Sequence, residues 1–319
     1  MDFWILAFRI IFLSETTTGI LGNSSLIFYY LVIYCRKCTL KPTDLILMHL
    51  LTANALIILS DGVPQTMAVF GFKHFLDSFG CQFLLYLQGF GRSVSIATTS
   101  LLSVFQILTI SPSNSCLKDH KFKFEKNIGY YILLLWIMYM FVNFIHFVYI
   151  LANKYTNNVT RIWDFEYCRS IVRGEIGGSI YGALVVCPEV FFSVLMTWSS
   201  GAMIVILYRH KQRVKHIRST HGSFRISPES RVTQNILILV STFLAFYTLS
   251  SILRGYMALL YKQNWWLMNF RALTSLFFPS FVPFLLLHHY SIVSKLCLFR
   301  IRNKKSFNLI LTLKTTCFA

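Results

Sequence analysis

The stretch LQGFGRSVSIATTSLLSVFQ, residues 87–106, sets one line of polar side chains in an otherwise apolar run. The polar positions recur at steps of three and four, which places them on one face of an α-helix: Gln88, Arg92, Ser95, Thr99, Ser103 and Gln106. Lipid is a poor environment for such a stripe. We therefore expect a membrane span here, with its polar face turned into a helix bundle.

The composition of the whole chain agrees with a membrane protein. Of 319 residues, 55% are hydrophobic and 13% charged, whereas soluble domains carry about 25% charged residues. Seven windows reach the roughly 20 apolar residues that a span needs, namely 8–34, 44–70, 80–110, 127–151, 179–208, 234–260 and 265–289. We predict an all-α, seven-transmembrane helix bundle over residues 1–290 and a short basic cytoplasmic tail over 291–319. The apolar N-terminus is predicted to belong to the first span and not to a cleaved leader.

The distribution of Lys and Arg between the connecting segments predicts the orientation. One alternating set of segments carries 20 of them and the other set six. The richer set faces the cytoplasm, so the N-terminus lies outside. The net charge of +18 then reflects topology and membrane lipids, and no nucleic-acid partner is expected.

Two features of the outer segments fit this orientation. Asn158 begins the sequon Asn-Val-Thr in a long outer segment and is the predicted glycosylation site. Cys81, at the head of the third span, and Cys168, in the same outer segment, are the two cysteines on the oxidising side. A disulfide between them would stabilise the fold by roughly 2–4 kcal/mol.

Motifs for catalysis or cofactor binding are absent from the sequence. There is no phosphate-binding loop, zinc-protease motif or nucleophile elbow, so we predict no catalytic residues, no metal and no cofactor. The GFG at residues 89–91 lacks a third glycine and lies within a span. Gly89 and Gly91 are better interpreted as packing notches that let another helix or a ligand approach the third span. An inverted repeat typical of carriers is not evident.

Arg92 carries a charge to roughly 16 Å below Cys81, counting 1.5 Å per residue, where an unpaired cation is costly. Asp61, in the outer half of the second span, is one candidate partner, and a ligand is another. The two roles can coexist, and both stay open at this point. Predicted ligand-contacting residues on the inward faces are Gln88, Arg92, Ser95, Tyr247, Ser250, Arg254 and Arg271.

The two other arginines of that set have two interpretations. Arg254 and Arg271 lie near enough to the outer surface to snorkel to water. Alternatively they form a cationic rim that attracts anionic or carbonyl-bearing ligands.

The remaining polar residues within the spans are predicted to be structural. Asn23 is expected to bond Asn54 across the first two helices, and Asp61 shares a helical face with Asn54. Pro188 is predicted to kink the fifth span, and the neighbouring Glu189 has no predicted partner. At the inner side, Arg209, Lys211, Arg213 and Lys215 are predicted G-protein contacts, or else they only set topology and hold lipid headgroups.

Four long strings give the chain a family resemblance. These are TDLILMHLLTANALIILSDGVPQTMAVFG (43–71), LLSVFQILTISPSNS (101–115), DFEYC (164–168), and the run from LYRHKQRVKHIRS to SPESRVTQNILILVSTFLAFYTLSSI within 207–252. The chain resembles the vomeronasal type-1 receptors from about Phe12 to Asn303. The resemblance implies a rhodopsin-like fold, an odorant or pheromone ligand, an inhibitory-class heterotrimeric G protein, and the plasma membrane of sensory neurons.

The sequence lacks the switch motifs of mainstream rhodopsin-like receptors. The third span ends SVFQILTIS without the acidic-Arg-Tyr motif, and the last span has FPSFVPFLLL in place of Asn-Pro-x-x-Tyr. No activation switch can therefore be assigned by residue. The alternatives are a bitter-taste-type chemosensory receptor, which the strings RHKQRV and SPESR disfavour, and more remotely a small-molecule transporter.

Overall fold

The chain forms a bundle of seven long helices in a computed structural model, which describes residues 2–37, 40–110, 115–152, 161–164, 167–172, 175–217, 228–259 and 265–290. Each helix contains a segment that is long and apolar enough to cross a bilayer. In chain order the spans are Asp2–Lys37, Pro42–Val69, Ser78–Ile110, Ser115–Ala152, Glu175–Ile217, Pro228–Leu259 and Trp265–Tyr290. The seven predicted spans are confirmed.

Helix ends extend beyond the predicted apolar windows, among them the inner end of the fifth span. The predicted window stops at residue 208, but the helix continues to Ile217. The basic run that begins at Arg209 therefore lies on a helix and not in a loop, because Lys, Arg and Gln are good helix formers once the chain leaves the lipid. The predicted glycosylation site Asn158 and the tail 291–319 lie outside the described residues.

The third span is the most buried helix of the bundle. In its most apolar window 67% of the residues are buried, against 22% in the fourth span. All six side chains of the predicted polar stripe are at most 8% exposed, which confirms that this face turns inward. Ser93, Thr98 and Ser100 on other faces are buried as well, so the span is surrounded on nearly every side.

Gly91 allows the second and third spans to approach closely. A Cβ at this position would lie 3.1 Å from Ile57 Cγ1 and 3.2 Å from the carbonyl oxygen of Ala53. The backbone oxygen cannot move aside as a flexible side chain can. The interpretation of Gly91 as a packing notch is therefore confirmed.

The second span is an α-helix interrupted by a π-helical turn over residues 58–62, ILSDG. A π turn adds one residue to the local helical repeat, and such turns are frequent at functional sites. One added residue rotates the following face by about 100°, since an α-helix has 3.6 residues per turn. Asp61 lies in this turn and is fully buried.

The seventh span contains two prolines, Pro279 and Pro283, and is supported by the first span. Pro283 has no N–H to bond the carbonyl four residues earlier, and that carbonyl, of Pro279, accepts a hydrogen bond from Asn23 Nδ2 at 3.0 Å. A Cβ at Gly22 would lie 2.7 Å from Pro283 Cβ, so a glycine is needed there. The seventh span therefore depends on a donor from the first.

The predicted Asn23–Asn54 bond is wrong. Asn23 Nδ2 donates to the carbonyl of Gly19 in its own helix and to the Pro279 carbonyl that Pro283 leaves free. Asn54 Oδ1 instead accepts a hydrogen bond from Ser95 Oγ at 3.1 Å. Both asparagines are nevertheless fully buried structural residues.

A small outer ribbon covers the bundle and was not predicted from the sequence. Strand β1 (Arg161–Asp164) pairs antiparallel with β2 (Arg169–Val172). The turn between them carries Cys168, which is joined to Cys81 by the predicted disulfide. The neighbouring Tyr167 is 1% exposed and packs in one cluster with Ala68, Cys81 and Met268.

Candidate ligand site

Arg92 connects three spans at the centre of the outer half. Its Nε lies 3.6 Å from Glu189 Oε1 of the fifth span. Its Nη1 donates to Ser250 Oγ at 3.2 Å, and its Nη2 donates to Ser251 Oγ at 2.6 Å and to the Tyr247 carbonyl at 3.4 Å. We call these five residues the Arg92 junction.

The Tyr247 ring completes the junction. The guanidinium carbon of Arg92 lies 3.9 Å from the ring centroid, well inside the roughly 6 Å range of a cation–π contact. Tyr247 in turn stacks on Phe243, with ring centroids 5.1 Å apart. A planar guanidinium suits this site because it can stack on a ring and donate from its edge at the same time.

A second pair of charges joins the second and seventh spans. Arg271 Nη2 lies 3.6 Å from Asp61 Oδ1, and both side chains are buried. Gln65 Nε2 donates to Asn269 Oδ1 at 3.1 Å one turn farther out. Within the described residues, neither Asp61 oxygen has a hydrogen-bond partner, and Arg271 Nε has none either.

The predicted pairing of Asp61 with Arg92 is therefore wrong. The prediction assumed a regular α-helix through the second span, and the π turn at 58–62 removes that regularity. The rotation it introduces directs Asp61 to the seventh span. Arg92 takes as its acid Glu189, for which the sequence suggested no partner.

The snorkelling interpretation is wrong for Arg271. The side chain is 7% exposed and points into the bundle toward Asp61. The guanidinium is therefore paired inside the bundle and does not reach the outer surface.

A cavity opens beside the Arg92 junction in the outer half of the bundle. Its empty space is about 380 Å³ when the open space at its mouth is included. Apolar side chains form much of the wall: Ile57, Phe243, Phe246 and Phe278. The polar lining includes Gln88, Arg92, Ser95, Tyr247, Ser250 and Arg254.

Six of the seven predicted ligand-contacting residues thus line one cavity, and Arg271 does not. The walls come from the second, third, sixth and seventh spans. The fifth span supplies no lining residue within the described part of the chain. Its Glu189 is instead engaged by Arg92, and Ile57 of the second span completes the wall.

Arg254 lies one helical turn outward of Ser250 on the sixth span and lines the cavity. Its Nε and Nη2 are buried and have no hydrogen-bond partner among the described residues. Arg92, Arg271, Asp61 and Glu189 all lie within its electrostatic reach. The cavity wall therefore presents a guanidinium whose donors are not saturated.

Tyr167 of the outer ribbon lies over these charges. Burial raises the pKa of the Tyr167 phenol, and the Asp61 carboxylate adds to this effect while Arg271 and Arg254 oppose it. The phenol is consequently protonated at neutral pH. The ribbon thus brings a neutral hydroxyl, fixed next to the disulfide, to the outer side of the charged cluster.

Sequence reasoning missed three contributors to this region. Glu189 was noted without a role, and Tyr167 and Asn269 were not singled out. For Glu189 a signal existed, because an acid inside an apolar span needs a compensating charge. For Tyr167 and Asn269 the sequence offers no comparable signal, since both roles depend on packing between distant segments.

The predicted G-protein contacts lie on the inner part of the fifth span. Arg209 is exposed at the inner end of the fifth span, as a contact for a cytoplasmic partner requires. Lys211, Arg213 and Lys215 follow on the same helix. Their role stays a prediction.

Comparison with known proteins gives consistent matches over most of the chain. A family model described as the vomeronasal organ pheromone receptor family matches residues 6–299. The human vomeronasal type-1 receptor 4 is 46% identical over 275 residues, covering 86% of this chain and 91% of that protein. The human vomeronasal type-1 receptor 2 is 43% identical over 295 residues, covering 92% and 75% respectively.

Among solved structures, the helix arrangement is similar to that of squid rhodopsin. The TM-score is 0.66 at 13% sequence identity, and the match covers 91% of this chain and 83% of that one. At this identity the likeness shows the fold, and the expected rhodopsin-like bundle is confirmed.

Proposed function

The chain belongs to the vomeronasal type-1 receptor family, and we propose that it binds small odorant molecules from the outer side and activates an inhibitory-class G protein. The family membership, with the seven-span rhodopsin-like fold, makes it a multi-pass membrane receptor and not an enzyme. We place its action at the plasma membrane of sensory neurons. The family match also favours this function over a bitter-taste receptor or a transporter.

The observation that supports the proposal most directly is the position of the Arg92 junction. Arg92 holds the fifth and sixth spans through separate groups, Glu189 on one and the two serines on the other. The same guanidinium lines the cavity. A ligand in the cavity is thus next to the side chain that ties these helices together.

This arrangement suggests how a ligand signals. A hydrogen-bond acceptor that enters beside Ser250 competes with the serine hydroxyls for the Arg92 donors. Each such bond to a charged group contributes about 1.5–3 kcal/mol, and transitions between receptor states require differential contacts of a few kcal/mol. Exchange of one or two bonds is therefore enough to shift the sixth span relative to the third.

The inner ends of the fifth and sixth spans transmit that shift in our proposal. The two helices continue past the membrane as Glu175–Ile217 and Pro228–Leu259, so a rotation at Ser251 is carried to their inner ends. Arg209, Lys211, Arg213 and Lys215 would then contact the acidic surface of the G protein. The rival role for these cations is to hold anionic headgroups.

The test is a signalling assay in cultured cells that express the full chain with an inhibitory-class G protein. A panel of odorants is applied, and cAMP is followed after forskolin stimulation. We expect at least one odorant to lower cAMP in a pertussis-toxin-sensitive manner. Uptake of labelled odorant without a cAMP response would contradict the proposal and support a carrier.

A variant pair ties the response to the junction. The Arg92→Gln receptor is expected to reach the cell surface normally but to lose the cAMP response. The guanidinium that donates to Ser250 and Ser251 of the sixth span is absent from this variant. Lys73→Gln, an exposed outer-loop change, removes the same charge and is expected to keep it. An equal response from both variants would show that the junction does not transmit the signal.

A further inference from the structure

The charged cluster of the outer half contains more cations than anions. Arg254 lies within electrostatic reach of two arginines, Arg92 and Arg271, and of two carboxylates, Asp61 and Glu189. Each carboxylate already has an arginine of its own, at 3.6 Å in both cases. One positive charge is left over, and it belongs to Arg254.

Within the described part of the chain, Arg254 forms no ion pair of its own. Arg254 Nε and Nη2 are buried without hydrogen-bond partners. The remaining acid within the spans near this level, Glu15, forms no ion pair with any described arginine. An arginine does not lose its proton in a protein, so the guanidinium stays charged and its donors stay unsatisfied.

Arg254 borders the cavity of the outer half. Arg254 lines the space together with Gln88, whose Nε2 is also buried without a partner among the described residues. The unpartnered N–H groups of both side chains are therefore buried in the wall of the cavity. The facing walls are aromatic and aliphatic, formed by Ile57, Phe246 and Phe278.

We propose that the cavity takes a small amphipathic oxyanion, with a carboxylate-type head on Arg254 and Gln88 and an apolar body against the phenylalanines. This deepens the proposed function and rests on it, because it names the chemical class of the receptor's ligand. A planar guanidinium binds a carboxylate through two parallel hydrogen bonds. The bound anion would also neutralise the surplus charge of the cluster.

Neutral odorants satisfy this site less well. A carbonyl or hydroxyl can accept one bond from Arg254 but leaves the charge uncompensated in a region of low dielectric. An anion without an apolar body would leave the aromatic walls in contact with water. Both parts of the molecule are therefore needed.

The test measures thermal unfolding of the purified full-length receptor with a defined panel of probes. The panel consists of phenylalkanoates with two to six methylenes, each compared with its methyl ester and its primary alcohol. We expect at least one carboxylate to raise the unfolding midpoint by several degrees, and its ester and alcohol to raise it much less. Inorganic sulfate, which has no apolar body, serves as a further comparison.

Two variants tie the effect to Arg254. Arg254→Gln is expected to weaken binding of the active carboxylate roughly 10- to 100-fold, the loss of a charged hydrogen-bonded pair. Arg254→Lys keeps the charge without the fork and should fall between. Lys73→Gln removes an exposed outer cation and should bind as the wild type does.

Several outcomes would overturn the assignment. They are an ester or alcohol that stabilises as strongly as its acid, a carboxylate effect unchanged in Arg254→Gln, or no carboxylate effect in the wild type. The proposed function fails separately. Carboxylate binding with no cAMP response would refute the receptor proposal, whereas signalling to neutral odorants alone would refute only the oxyanion.

Discussion

Two arginine–carboxylate pairs in the outer half have the same separation and very different surroundings. Arg92 and Glu189 lie 3.6 Å apart, as do Arg271 and Asp61. Arg92 also donates three hydrogen bonds to the sixth span and stacks on an aromatic ring. The Asp61–Arg271 pair is more deeply buried, yet both carboxylate oxygens lack hydrogen bonds within the described residues.

The contrast separates two uses of buried charge. A buried ion pair without supporting hydrogen bonds gains little net stability, because desolvation offsets the attraction. A guanidinium whose donors are satisfied on a neighbouring helix holds that helix in place. The Arg92 junction therefore joins spans, while the Asp61–Arg271 pair chiefly keeps two charges compatible.

The largest effect is expected from removing one partner of the less satisfied pair. Arg271→Met leaves Asp61 buried and unpaired and should lower stability by about 3–5 kcal/mol. Thermal unfolding of the purified receptor measures the change. Adding Asp61→Asn to Arg271→Met should restore most of the lost stability, since the unpaired carboxylate charge is removed. A double variant as unstable as the single would show that the pair holds the two helices together.

At the Arg92 junction, by contrast, we expect that removing the partner carboxylate does not restore the lost stability. Arg92→Gln should lower stability by about 2–3 kcal/mol through the loss of hydrogen bonds to a charged donor. Adding Glu189→Gln should recover little, because the bonds to Ser250 and Ser251 are still missing. Full recovery in the same unfolding assay would remove the distinction between the two pairs.

A smaller effect is expected from one acceptor of the junction. Ser251→Ala removes the shortest Arg92 contact, 2.6 Å, and should lower stability by about 1 kcal/mol. Ser241→Ala is the matched control, because Ser241 lies on the same helix, is exposed and bonds only its own backbone. Equal unfolding midpoints for the two variants would contradict the role of Ser251.

The smallest effect isolates the aromatic contact. Tyr247→Leu removes the ring beneath Arg92 and should lower stability by roughly 0.5–1 kcal/mol more than Tyr247→Phe, which keeps the ring. The difference between the two midpoints is the measured quantity. Equal midpoints would mean that the ring fills space without attracting the guanidinium.

Regular periodicity explains which parts of the fold could be predicted. The spacing of Gln88, Arg92 and Ser95 identified an inward face because the third span is an uninterrupted helix. The disulfide between Cys81 and Cys168 could be predicted because these are the two cysteines in the outer segments. The first inference depends only on helix periodicity, and the second only on the number of cysteines in the outer segments.

The partner choices could not be predicted in the same way. A single π turn directs Asp61 to the seventh span, and no residue in the sequence ILSDG predicts that turn. The hydrogen bond from Asn23 to the Pro279 carbonyl is different, because the sequence does signal its acceptor. Pro283 has no N–H to bond that carbonyl. The pairing of Arg92 with Glu189 required knowing how the third and fifth spans meet.

The contacts of Tyr167 have a consequence for the order in which the receptor is assembled during synthesis. Cys81 and Cys168 both precede the last three spans in the chain, so their disulfide can close before those spans have emerged from the ribosome. The cluster around Tyr167 is completed only by Met268 of the seventh span. The oxidised ribbon is thus a preformed docking surface for the last helix to enter the membrane, and a nascent chain stalled before residue 265 would carry the bond with Tyr167 still uncovered by that helix.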